Sequence, residues 1–160
     1  MKNHFKILKA DIKRELASLE SLKLELAKVY PKSIELSIKI RTTAGILHDF
    51  YTGIEKIFQR IATEMDGEIP KGEDWHIDLL KRMAISLPQI RPEVIGEKLA
   101  RELEEYLRFR HLFRNIYGFG LRWERIATLA KALPKILKKF EAALQKFFQF
   151  LDKLSKNMPK

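Results

Sequence analysis

Apolar side chains recur every three or four residues along most of this 160-residue chain. Phe5, Leu8, Ile12, Leu16, Leu19, Leu22, Leu26 and Val29 form the first such stripe, with Glu15, Glu20, Glu25 and several lysines on the other face. That spacing predicts an amphipathic helix over 3–29. Pro31 ends it, because the proline ring clashes with a continuing helix. A second long helix is predicted over about 33–65, with Ile34, Ile38, Leu47, Phe50, Ile54, Ile57, Phe58 and Ile61 on its apolar face. Gly45 and Gly53 inside it each weaken helix propensity by roughly 1 kcal/mol relative to alanine, which marks them as positions of close helix packing.

Glycine, proline and acidic residues cluster in MDGEIPKGEDWH, Met65 to His76, and predict a loop. Asp74 is placed to N-cap a short helix over 75–86 carrying Ile77, Leu79, Leu80, Met83 and Ile85. Pro88 and Pro92 bracket a turn, and a fourth helix is predicted over 93–117. The last helix, 122–154, has a wide stripe through Leu129, Leu133, Ile136, Leu137, Phe140, Leu144, Phe147, Phe148 and Leu151, with a kink expected at Pro134. No alternation of period two occurs. The pattern predicts an all-α protein: one domain over 1–160, an antiparallel bundle of four long helices and one short one.

Composition narrows the chemistry. The chain has no cysteine, which excludes disulfides, a thiol nucleophile and cysteine-based metal sites. No apolar run is long enough for a signal peptide or a membrane span, so a cytoplasmic protein with no membrane role is expected. The net charge is +10, and residues 122–160 supply +7 of it. A basic surface suits a polyanionic partner, and equally a soluble helix face. The apolar stripe of the basic last helix is needed for the core, which disfavours a peripheral membrane role.

Candidate chemistry concentrates in RFRHLFRNIYGFG, Arg108 to Gly120. On a helix, Arg110, Arg114 and Tyr117 fall at i, i+4 and i+7 and share a face, with His111 and Asn115 on the adjacent ridge. Gly118 and Gly120 would stop the helix. Such an end suits a phosphate, with proton transfer beside it. The same residues also suit a solvated helix terminus, where the macrodipole favours cations. Elsewhere there is no glycine-rich phosphate loop, no paired metal-ligand motif and no sign of a cofactor. His48–Asp49 reads as a satisfied structural pair, GEDWH as a cap and turn that packs Trp75, and Phe140, Phe147, Phe148 and Phe150 as core or dimer interface.

Three segments carry a family resemblance: LHDFYTGIEKIFQRIA at 47–62, GEDWH at 72–76, and LRFRHLFRNIYGF at 107–119. In order and content they resemble the HEPN superfamily, and within it the HepT-like ribonuclease toxins of prokaryotic toxin–antitoxin pairs. Those proteins carry an arginine, a polar residue, a short spacer, a histidine and often a tyrosine two residues later. The matching positions are Arg110, His111, Asn115 and Tyr117. The resemblance implies a helical-bundle homodimer with both motif copies in one cleft. It also implies a metal-independent endoribonuclease that leaves a 2′,3′-cyclic phosphate. Arg110 would stabilise phosphoryl charge, with Arg114 and Arg108 adding positive charge. The expected partner is a nucleotidyltransferase antitoxin that adenylylates Tyr117.

One position departs from the pattern. Asn115 stands where the family has histidine, and an amide cannot exchange protons as imidazole does. Three outcomes follow from the sequence. His111 takes over the role, the arginines suffice by charge stabilisation, or the chain is an inactive relative that binds RNA or the nucleotidyltransferase.

Overall fold

The computed structural model describes residues 2–159. Its helices are α1 (Lys2–Val29), α2 (Leu36–Ile61), α3 (Trp75–Met83), α4 (Glu97–Asn115) and α5 (Trp123–Asn157). No strand forms among the described residues. The four long helices pack in the order α1, α2, α4, α5, each antiparallel to its neighbours. Cross-helix pairs fix the register. Arg60 of α2 reaches Asp11 of α1, and Lys9 of α1 reaches Asp152 of α5 at 3.0 Å. Lys139 of α5 reaches Glu102 of α4 at 2.9 Å, and the Tyr106 hydroxyl donates to the Leu129 carbonyl at 2.7 Å. The core they enclose runs through Leu8, Leu19, Phe50, Ile54, Phe58, Leu103, Phe109, Phe140, Leu144 and Phe147, all buried.

α3 lies against α2 and α4 and is carried there by an ordered connection. A turn of π-helix, Ala62–Asp66, follows α2. Asp66 then holds Arg91 through two hydrogen bonds, from Nε at 2.7 Å and Nη2 at 2.9 Å, with both side chains buried. A paired, hydrogen-bonded charge is the form in which arginine is tolerated inside a protein. This pair ties the segment before α4 to the segment before α3.

The structure revises several predicted boundaries. α2 begins at Leu36, so Ile34 lies outside it, and both Ile34 and Ile38 are exposed rather than on the core stripe. α3 ends at Met83, whose carbonyl accepts the Val94 amide at 2.9 Å, so 93–96 is a tether rather than the start of α4. Asp74 sits at the N-cap position of α3 but makes no side-chain capping bond. α5 continues as one helix through Pro134. Gly53 is a point of close packing, since a Cβ there would lie 2.6 Å from Leu19 Cδ2, whereas Gly45 has open space.

Candidate functional site

α4 presents Leu99, Leu103, Tyr106 and Arg110 at i, i+4, i+7 and i+11, and all four are buried. Arg110 thus occupies a core position, the place of the next apolar residue in the stripe. α2 does the same with Leu47, Tyr51 and Glu55 at i, i+4 and i+8. Two opposite charges on facing core stripes must pair, because an isolated buried charge is far too costly.

They pair closely. Arg110 Nη2 donates to Glu55 Oε2 at 2.8 Å, and Nη1 approaches Thr52 Oγ1 at 3.4 Å. The guanidinium carbon lies 4.9 Å over the Tyr51 ring, in cation–π geometry. Burial, then the Glu55 charge, push the Tyr51 phenol well above its ordinary range, so it stays neutral. Glu55 Oε2 takes a further contact from His76 Nδ1 at 2.7 Å, at the N-terminus of α3. The His76 ring stacks on Trp75 with 3.7 Å between centroids. Its side chain is 31% exposed, against 2% for Arg110.

A second layer lies one turn along both helices. Arg114 Nε approaches His48 Nε2 at 3.4 Å, while His48 Nδ1 is 3.3 Å from Asp49 and the His48 carbonyl accepts the Thr52 hydroxyl at 3.0 Å. The polar residues therefore form a continuous line: His76, Glu55, Arg110, Thr52, His48, Arg114. Its middle, Glu55 and Arg110, is buried and locked by charge, and its outer end, Arg114, is exposed.

α4 stops at Asn115, whose side-chain nitrogen turns back to donate to the His111 carbonyl at 2.7 Å. Ile116 and Tyr117 are extended, and Gly118–Gly120 forms a turn of 3₁₀-helix. Tyr117 is thus not on the helix face with Arg110 and Arg114, as its spacing predicted. The glycines do not adopt the left-handed conformation either, since among the described residues only Gly67, Gly72 and Gln89 have positive φ. Gly118 instead lies close to the Arg41 side chain: a Cβ there would lie 2.6 Å from the guanidinium carbon, which the exposed arginine would have to move to admit. Beyond the helix end, the Tyr117 and Phe119 rings stack at 5.2 Å and 15°, exposed by 77% and 83%.

The predicted site residues therefore separate into two groups. Arg110 is interior and committed to Glu55, so meeting a phosphate requires Glu55 to release it. Arg114, His111, Asn115 and Tyr117 are exposed at the helix end. Arg108 points away, paired with Glu104 at 3.3 Å and Glu105 at 3.4 Å. Sequence reasoning missed Glu55, Thr52, His76 and Arg41. For Glu55 the signal was present, an acid on the apolar stripe of α2. His76 was passed over as part of a turn.

The three segments that carried the resemblance, 47–62, 72–76 and 107–119, meet around Arg110. Comparison with curated proteins and with solved structures gives no match. A sequence model described as HepT-like protein matches residues 42–151, more than half of the chain and the whole polar line. The chain belongs to the HepT-like family of the HEPN superfamily.

Proposed function

We propose that this HepT-like protein is the endoribonuclease toxin of a toxin–antitoxin pair. In this reading the RNA 2′-hydroxyl attacks the adjacent phosphate, without a metal ion, and a 2′,3′-cyclic phosphate remains. The observation that carries it is the outer face of the α4 end. Tyr117 and Phe119 stand stacked and largely exposed in the segment that follows Arg114 and His111. Exposed aromatic rings next to cations form the surface on which single-stranded nucleic acid stacks its bases and lays its phosphates. Arg114 and Arg41 are the guanidiniums placed to meet phosphate oxygens. Arg110 acts from behind, fixing the helix end against Glu55. A second protomer pairs the two ends, covering the exposed Ile34, Leu36 and Ile38. The exposed Tyr117 phenol is the group a nucleotidyltransferase antitoxin adenylylates.

The test is cleavage of total and transfer RNA in EDTA, with analysis of product ends, for the wild type and for Tyr117→Ala/Phe119→Ala. The wild type is expected to leave 2′,3′-cyclic phosphate ends. The double variant is expected to bind RNA at least ~10-fold more weakly, since a stacked base is worth about 1–3 kcal/mol. No cleavage by wild type above stoichiometric RNA overturns the reading.

A second reading is a non-catalytic module that docks the nucleotidyltransferase. The neutralisation of Arg110 by Glu55 and the amide at position 115 favour it. Its mark is a stable complex with that partner and no RNA cleavage.

A further inference from the structure

We propose that His76 is the general base of this site, standing in for the imidazole that Asn115 does not provide. The inference rests on the nuclease reading above and adds a residue to it that lies outside the arginine-rich motif.

The four histidines differ in what their ring nitrogens are free to do. His4 Nε2 is held by Glu64 at 2.9 Å, at the end of the bundle where α1 begins. His48 has both nitrogens engaged, Nδ1 near Asp49 and Nε2 near Arg114 Nε. His111 is exposed, and no carboxylate orients it among the described residues. His4 and His76 each have one nitrogen held by a carboxylate and the other unengaged among the described residues, but only His76 has its ring against Glu55 and Arg110. Glu55 Oε2, 2.7 Å from Nδ1, fixes the proton on that nitrogen. Arginine only donates, so the 3.1 Å approach of Arg110 Nη2 to the same Nδ1 is two donors converging on one carboxylate oxygen. Nε2 is then the unprotonated nitrogen, and it has no hydrogen-bond partner among the described residues. Stacking on Trp75 holds the plane of the ring, and 31% exposure leaves an edge open. A carboxylate that sets tautomer and orientation while the far nitrogen faces the reactant is how a histidine is prepared for proton transfer.

The step balances. Nε2 takes the proton of the RNA 2′-hydroxyl as O2′ bonds to phosphorus. The P–O5′ bond breaks, and O5′ leaves with a proton from water. The imidazolium then returns its proton to solvent. The 2′-hydroxyl must come within hydrogen-bond reach of Nε2, so the scissile phosphate lies along the polar line toward His76, with the exposed Arg114 at its other end.

The experiment compares wild type, His76→Ala and His76→Gln for RNA cleavage, RNA binding and melting temperature, each with and without added imidazole. Both variants are expected to stay folded, with a lowered melting temperature, to bind RNA, since Glu55 keeps Arg110, and to cleave ~10²–10⁴-fold more slowly. Free imidazole is expected to restore His76→Ala in proportion to its concentration, and not His76→Gln, whose side chain fills the space. Cleavage by either variant within a few-fold of an active wild type, or an alanine variant that imidazole does not restore, overturns the role of His76 and leaves the nuclease reading standing. An inactive wild type overturns both.

Discussion

Arg110 and Glu55, 55 residues apart in sequence, form a buried ion pair at 2.8 Å between the core faces of α4 and α2. The pair joins the helix that ends in the exposed site to the helix at the centre of the bundle. It also means that the most conspicuous arginine of the motif is part of the interior.

Glu55→Gln keeps the shape of the side chain and removes its charge, leaving Arg110 a buried, uncompensated cation. Breaking a buried pair from one side costs about 3–5 kcal/mol, whereas replacing both partners by neutral groups of similar volume is often close to neutral. Glu55→Gln is therefore expected to lower unfolding free energy by that amount, and Glu55→Gln/Arg110→Met to regain most of it. Urea denaturation of the two variants checks this. A single variant within about 1 kcal/mol of wild type would show that the pair is not an anchor. By the same argument, lost cleavage in Arg110→Ala reports on stability as well as on chemistry.

Two glycines in α2 should respond to the same substitution with opposite sign. At Gly45 a Cβ meets nothing within 4 Å, so Gly45→Ala is expected to stabilise by up to roughly 1 kcal/mol through helix propensity. At Gly53 the Cβ lands 2.6 Å from Leu19 Cδ2 in the α1–α2 contact. Overpacking of that kind costs about 1–3 kcal/mol, which outweighs the propensity gain. Thermal melts should move up for Gly45→Ala and down for Gly53→Ala. A shift in the same direction for both would contradict the packing described.

The bundle was legible because its apolar residues keep helical spacing over 20 to 30 residues at a time, long enough for the period to be unambiguous. The ends of helices were less so. Val94 and Ile95 look like the first turn of α4 but are buried by a backbone tether to Met83, which no local pattern announces. At the site, spacing correctly placed Arg110 and Arg114 on one side of α4. What it missed was that this side continues Leu99, Leu103 and Tyr106, and so begins inside the core. Tyr117 left the common face because α4 ends two residues earlier, at Asn115, and the chain is extended from Ile116 on. His76 was invisible for a different reason. Its partner Glu55 is 21 residues away, across the turn in which Asp66 pairs with Arg91.

Glu20 of α1 and Glu141 of α5 give the stability a pH dependence. Burial, then a hydrogen bond and repulsion from Glu20, raise the Glu141 carboxyl from 4.5 to about 7. Glu20 moves the other way, held ionised by Glu141 and Lys23. A carboxyl raised in the folded state binds its proton more tightly there than in the unfolded chain. Its contribution is therefore present at low pH and lost as pH rises from 4.5 through about 7. Glu20 adds the opposite trend only below its ordinary 4.5. Glu141→Gln should remove the decline, giving a urea midpoint that stays level across this window while that of wild type falls. Identical pH profiles for the two proteins would dismiss the shared proton.

Asn115→His offers the sharpest test of the site. The asparagine side chain is exposed, and its side-chain hydrogen bond is to the His111 carbonyl one turn back, so the substitution costs about that one bond. It places an imidazole where the family pattern has one, beside the exposed Arg114. If proton transfer limits cleavage and the wild type depends on a base further along the polar line, a second imidazole at the helix end should raise the rate. General acid–base assistance is worth about 10²–10⁴-fold where it is absent, so the gain should be largest in the His76→Ala background and modest in the wild type. Cleavage rates under saturating RNA, measured for Asn115→His with and without His76→Ala, give the comparison. Equal gains in the two backgrounds would mean that the two imidazoles act independently. No gain in either would mean that position 115 does not reach the reacting phosphate, and that the helix end binds RNA without taking part in its cleavage.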